Sequence, residues 1–235
     1  MINRSFVSAE TRHRVRGLAL PIALRLGRLG LTPNLLTVVG FLGTCVAAVA
    51  AAAQAWVLAG ILVIAFGIFD MFDGALARAT GRASRFGAFL DSTLDRTGEG
   101  LVLAGVAVGC AQAGFVEGVA LAVVALAFAS AVTYTRAKAE ALGLHGEVGF
   151  APRPERLVLL SAGLVLAGLI GGVGVADCGN LSCLDGQWRA GNLPLAIALG
   201  LIAVLSAITV LQRILHTRRQ LAELERTQRS TTAHG

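Results

Sequence analysis

Charge is what this chain has least of. Only 14% of its 235 residues are Asp, Glu, Lys or Arg, against about 25% in soluble domains. A water-covered surface on every side is excluded by that shortage. Histidine and cysteine are also scarce, at four each. His13, His145, His216 and His234 share no ligand spacing with Cys45, Cys110, Cys178 or Cys183, which excludes a Cys/His zinc site. No internal repeat is visible, which argues against a membrane carrier built from paired halves, the competing class for a chain with intramembrane acids. The basic residues are interrupted by long apolar runs, so nucleic acid is not the expected partner. Anionic lipid headgroups and phosphorylated small molecules suit the net charge of +6 better.

What the chain has is apolar length. Hydrophobic residues make up 55% of it, and its mean hydropathy is +0.73. Apolar runs occupy about 35–53, 56–72, 87–111, 118–141, 156–175 and 193–215. Each approaches the ~20 residues that cross ~30 Å of hydrocarbon. The expectation is an all-α integral membrane bundle of six transmembrane helices over 32–217. Residues 1–31 are too charged for a signal peptide. Val15, Leu18, Ile22, Leu26 and Leu29 recur at helical spacing there, predicting an amphipathic interfacial helix that Pro21 bends. Thr32-Pro33-Asn34 reads as a helix start. Residues 218–235 read as a charged tail that begins as helix and dissolves into disorder over residues 229–235. With both termini cytoplasmic, every Arg and Lys except Arg189 falls on one side, which predicts a multi-pass plasma-membrane protein in that orientation. Cys178 and Cys183 share the outer loop 176–192, where a disulfide is possible. Gly105-x-x-x-Gly109, Ala167-x-x-x-Gly171 and Gly168-x-x-x-Gly172 permit close helix contacts, within the bundle or between two copies.

The stretch Asp70–Arg96 organises the rest. Asp70 and Asp73 are three apart, and Asp91 and Asp95 four apart, so each pair shares a helix face. Placing charged side chains near a bilayer costs roughly 2.5–3.5 kcal/mol each, so four together need compensation. Gly74, Arg78, Gly81 and Gly87 lie between the pairs. Gly74 would let a ligand approach the backbone closely, and Arg78 offers a fork for a phosphate oxygen. An oxygen-only nest of this kind suits Mg2+ or Mn2+.

The run Asp70-x-x-Asp73-Gly74-x-x-Ala77-Arg78, followed by Gly87-x-x-x-Asp91-x-x-x-Asp95, resembles the signature of the CDP-alcohol phosphotransferases without a gap. The resemblance implies an integral membrane enzyme, homodimeric, that moves a phosphoryl-linked lipid from a CDP-lipid to an alcohol and releases CMP. It implies two divalent ions held by Asp70, Asp73 and Asp91, with Asp95 as catalytic base and further metal contact. It also implies that Thr32, Pro33, Asn34, Leu35 and Ser84 border the CDP-lipid, beside Gly74 and Arg78.

Arg136 and Lys138 end one apolar run, Arg153 and Arg156 begin the next, and Arg213 lies near the inner end of the last. Several cations facing one cavity would suit an acceptor that itself carries a phosphate, and Lys138, Arg153, Arg156 and Arg213 are the expected set. The segments Arg136-Ala137-Lys138-Ala139-Glu140 and Arg153-Pro154-Glu155-Arg156 resemble those of the actinobacterial phosphatidylinositol phosphate synthases. That likeness implies CDP-diacylglycerol and 1D-myo-inositol 3-phosphate as substrates. A basic cavity would also admit glycerol 3-phosphate, giving phosphatidylglycerophosphate instead.

Overall fold

Thr32 opens the first long helix as the sequence predicts. Its hydroxyl oxygen accepts the Leu35 N–H at 3.3 Å, and Pro33 occupies the first turn, where its missing N–H costs nothing. The computed structural model describes residues 21, 24, 25, 27, 28, 30–144, 146, 149, 152–175 and 189–232. Six long helices follow one another: α1 (Pro33–Ala52), α2 (Trp56–Ala79), α3 (Arg85–Gln112), α4 (Val116–Ala141), α5 (Arg153–Leu169) and α6 (Asn192–Thr232). The bundle is all-helical, with no strand among the described residues.

Tight turns join the first four helices. Gln54 (φ 61°) and Gly114 (φ 72°) adopt the left-handed conformation that lets each chain reversal close within three residues. Each helix packs against two others, in the order α1, α2, α5, α6, α4, α3 and back to α1, so the bundle closes as a ring. Ala47, Ala51, Trp56, Val102, Val106, Leu160, Leu164, Leu199 and Ile202 fill its core. Leu42, Val46, Val49, Ile61, Val116, Leu169 and Leu193 face outward instead, as an apolar belt suited to lipid rather than water. Among the described residues, α1, α2, α4 and α6 are long and apolar enough to cross a bilayer. The other two fall short for plain reasons: α3 carries Asp91, Asp95, Arg96 and Glu99, and α5 has 17 residues.

Two boundaries differ from expectation. The fifth apolar run, at 156–175, ends as helix at Leu169, because Gly171, Gly172 and Gly174 all take positive φ. The helix expected to begin the tail at Arg218 continues α6 as far as Thr232, into the stretch expected to be disordered. Arg218–Thr232 contains no Gly or Pro, and Arg219 and Glu223 stand one turn apart, a spacing that supports exposed helix. The described positions between 21 and 28 are helical, and Gly27 lies against Leu76 of α2. Val15, Leu18, Ile22, Leu26, Leu29, Cys178 and Cys183 fall outside the described residues.

The small-residue stripes serve the bundle. A Cβ on Gly105 would lie 2.2 Å from the Ala48 carbonyl oxygen, and one on Gly109 would lie 2.3 Å from that of Ala51, so both seat α3 on the α1 backbone. Gly168 makes the same close approach to Val57 and Trp56, seating α5 on α2. Ser161 adds a hydrogen bond between the same two helices, its hydroxyl donating to the Gly60 carbonyl at 2.7 Å.

Candidate active site

Helices α2 and α3 deliver the two aspartate pairs, and α1 supports them. Ser84 sets the start of α3 by accepting the Gly87 N–H at 2.9 Å, which fixes the rotation that turns Asp91 and Asp95 inward. Asp73 is buried, at 6% exposure. Thr37 of α1 donates to its Oδ2 at 2.6 Å, and the Gly74 N–H donates to its Oδ1. Gly40 makes room for Asp70, whose Oδ1 would lie 2.6 Å from a Cβ placed there. Arg153 enters from α5 and joins the two helices. Its Nη2 donates to Asp70 Oδ2 at 3.2 Å, and its Nη1 meets Asp95 Oδ2 at 2.6 Å.

Beside the aspartates lies a cavity of about 210 Å³, lined by Pro33, Asn34, Thr37, Asp73, Gly74, Arg78, Arg82, Ser84, Gly87 and Asp91 among others. Five of the seven residues expected to border a CDP-lipid therefore share one space with two of the aspartates. The other two do not line it: Thr32 caps α1, and Leu35 is an outward-facing apolar side chain, 44% exposed. A Cβ on Gly74 would lie 3.2 Å from Arg78 Nη1, so the glycine gives that guanidinium its place against the cavity wall.

The expected acceptor cations do not face one cavity. Lys138 and Arg213 line a second space of about 560 Å³ between α4 and α6, with Tyr134, Thr217 and Arg218. Arg213 also donates to the Val132 carbonyl. Arg153 stands among the aspartates. Arg156 is 2% exposed, and its Nε and Nη2 meet Glu99 Oε1 and Oε2 at 2.7 and 2.8 Å. Burying a guanidinium in an apolar bundle is costly unless a carboxylate meets it in fork geometry, and Glu99 does so. Arg156, expected among the acceptor cations, is thus engaged by Glu99 across the bundle. Arg136 pairs with Glu140 one turn along its own helix, at 2.8 Å.

Reading residue by residue passed over Thr37, Gly40 and Glu99. Only Glu99 left a signal, as the next acidic position in the four-residue series 91, 95, 99. Among the described residues no three acidic side chains close on a single point. The guanidinium of Arg153 takes the space between Asp70 and Asp95, so this corner of the bundle accommodates positive charge. Oxygen-only carboxylate donors fit a hard divalent ion there.

Residues 30–209 match the family model of the CDP-alcohol phosphatidyltransferases. The chain is 39% identical to the phosphatidylinositol phosphate synthase of Cutibacterium acnes over 201 residues, covering 85% of this chain and 91% of that one. It is 37% identical to the archaetidylinositol phosphate synthase of Methanothermobacter thermautotrophicus, covering 72% and 82%. The crystal structure of the Mycobacterium tuberculosis phosphatidylinositol phosphate synthase with CDP-DAG bound is similar at TM-score 0.69 and 33% identity, over 85% of this chain and 92% of that one. Its complex with manganese and citrate gives a TM-score of 0.71, over 85% and 88%. With the aspartate spacing, one aspartate of each pair lining one cavity, and these matches over most of its length, the chain belongs to the CDP-alcohol phosphatidyltransferase family.

Proposed function

We propose that this membrane enzyme transfers the phosphatidyl group of CDP-diacylglycerol to 1D-myo-inositol 3-phosphate, giving phosphatidylinositol phosphate and CMP. The observation that supports the reading is that Asp73 and Asp91 line a cavity with Gly74, Arg78 and Ser84, while Arg153 bridges Asp70 and Asp95. Relatives named phosphatidylinositol phosphate synthase support the acceptor. The lopsided distribution of Arg and Lys supports six crossings, with both termini and the site on the cytoplasmic side. The active assembly in this reading is a homodimer.

Each residue has a physical task. Asp95 takes the proton from the attacking hydroxyl as the new O–P bond forms and the bond to CMP breaks. Arg78 and the open backbone at Gly74 hold the pyrophosphate, while Pro33, Asn34 and Ser84 wall the nucleotide end. Asp70, Asp73 and Asp91, with Asp95, would hold two Mg2+ or Mn2+ ions, which supply charge neutralisation at the phosphoryl group and leaving oxygen. Thr37 holds Asp73 in its rotamer, and Arg153 spans Asp70 and Asp95. Lys138 and Arg213 meet the phosphate of the acceptor.

The deciding experiment is CMP release by purified protein with CDP-diacylglycerol and Mg2+, each acceptor offered separately. Release with inositol phosphate alone is expected, abolished by EDTA and restored by Mn2+. Release with glycerol 3-phosphate instead would move the product to phosphatidylglycerophosphate, since both acceptors present a phosphate to the same cations. A carrier would release no CMP at all. Arg213→Ala is expected to raise the KM for the phosphorylated acceptor about 10- to 100-fold, the worth of one charge-assisted contact, with the KM for CDP-diacylglycerol nearly unchanged. Equal damage to both would place Arg213 in the support of α4, through Val132, and not in the acceptor site.

A further inference from the structure

We infer that Arg153 is an internal counter-ion that competes with divalent metal. Its guanidinium and a metal ion address the same oxygens of Asp70 and Asp95, so one must leave as the other enters. The inference rests on the proposed reading of these aspartates as metal ligands. Four carboxylates in an apolar bundle repel one another and lose their hydration, so the fold needs a cation among them. Arg153 supplies it from another helix. Its Nη2 meets Asp70 Oδ2 at 3.2 Å and its Nη1 meets Asp95 Oδ2 at 2.6 Å, so a single guanidinium spans both aspartate pairs.

The oxygens it takes are those a shared ion would need. Asp70 Oδ1 is turned into the notch at Gly40, 2.6 Å from where a Cβ would stand, which leaves Oδ2 as the oxygen on the Asp95 side. A hard ion such as Mg2+ binds carboxylate oxygen at about 2.0–2.1 Å. A guanidinium on the same oxygens would then set two positive charges within a few ångströms of each other. An ion held between Asp70 and Asp95 therefore excludes the guanidinium from that place. Two further features suit a cation that gives way. The buried Nε of Arg153 has no hydrogen-bond partner among the described residues, so its hold on the carboxylates leaves one donor unmet. Arg153 also opens α5 between Pro152 and Pro154, whose rings restrict the backbone there. The long side chain can thus withdraw while the helix stays in place.

The probe is Mn2+ alone, titrated into purified, substrate-free protein in detergent and followed by its electron paramagnetic resonance signal. Arg153→Gln keeps a side-chain N–H donor and loses the charge. It is expected to bind Mn2+ about 10- to 100-fold more tightly than the parent, because one positive charge beside the ion is gone. In EDTA the same variant should unfold at a lower temperature than the parent, and Mn2+ should raise its unfolding temperature by more. Arg153→Lys keeps the charge but is too short to span both carboxylates, so it should tighten Mn2+ by a smaller factor, about threefold. It carries the test should Arg153→Gln fail to accumulate. Mn2+ binding that is unchanged or weaker in Arg153→Gln would overturn the exchange, and so would the same result in Arg153→Lys where that variant alone accumulates. Weaker binding would make Arg153 a support of the metal ligands instead of their competitor. No Mn2+ bound by parent or variants would refute the metal reading of the aspartates and this inference with it. A parent that binds Mn2+ and releases no CMP would refute the transferase reading and not the exchange.

Discussion

Asp95→Asn is expected to leave a folded membrane protein whose turnover is lower by about 10²- to 10⁴-fold, the usual worth of a positioned general base. The carboxamide has nearly the shape of the carboxylate but cannot take the proton of the attacking hydroxyl. Arg153 would exchange its ion pair with Asp95 for a hydrogen bond to a neutral amide oxygen and keep its hydrogen bond to Asp70. One of four crowded negative charges would also disappear, so the bundle has no electrostatic reason to open. The measurements are kcat for CMP release and the unfolding temperature in detergent. Turnover above about a tenth of the parental value would remove Asp95 as the base.

Gly105→Ala is expected to cost more stability than any other one-methyl change in the first four helices, on the order of 1–3 kcal/mol or more. The added Cβ would sit 2.2 Å from the Ala48 carbonyl oxygen, 2.9 Å from its carbonyl carbon and 3.1 Å from its Cα. All three are backbone atoms of α1, so no side-chain rotation relieves the overlap, and the two helices must separate. Separation would pull α3 away from α1, and Thr37 on α1 holds the buried Asp73. Activity should therefore fall along with the unfolding temperature. Gly200→Ala is the control of opposite sign. Nothing lies within 4 Å of a Cβ at that position of α6, and alanine is favoured over glycine in a helix by about 1 kcal/mol. Equal unfolding temperatures for the two variants would mean that α1 and α3 are not held at the observed distance.

The ambiguity of Gly105-x-x-x-Gly109 shows where one-dimensional reading stops. The spacing states that a helix can be approached closely on one face. Whether the approaching helix belongs to the same chain depends on the ring order of the bundle, which no local pattern carries. The basic residues show the same limit from the side of function. Lys138, Arg153, Arg156 and Arg213 are alike as letters, and each lies near an end of an apolar run. Their partners arrive from other helices: Asp70 and Asp95 for Arg153, Glu99 for Arg156, the Val132 carbonyl for Arg213.

By itself the sequence determined what depends on short range. The shortage of charge and the apolar runs determined a helical membrane bundle, because hydrocarbon leaves backbone groups no partner but the helix itself. The cap at Thr32 was written in a residue three positions from the N–H group it accepts. The offsets of three and four placed the aspartates on shared faces, since the helical repeat converts spacing into direction. Only the tertiary structure decided which faces meet. It brought α5 across the ring, spent Arg156 on Glu99, opened space for Asp70 at Gly40 and held Asp73 with Thr37. A charge buried in an apolar interior takes the nearest opposite charge in good geometry, and nearness between distant segments is a property of the fold.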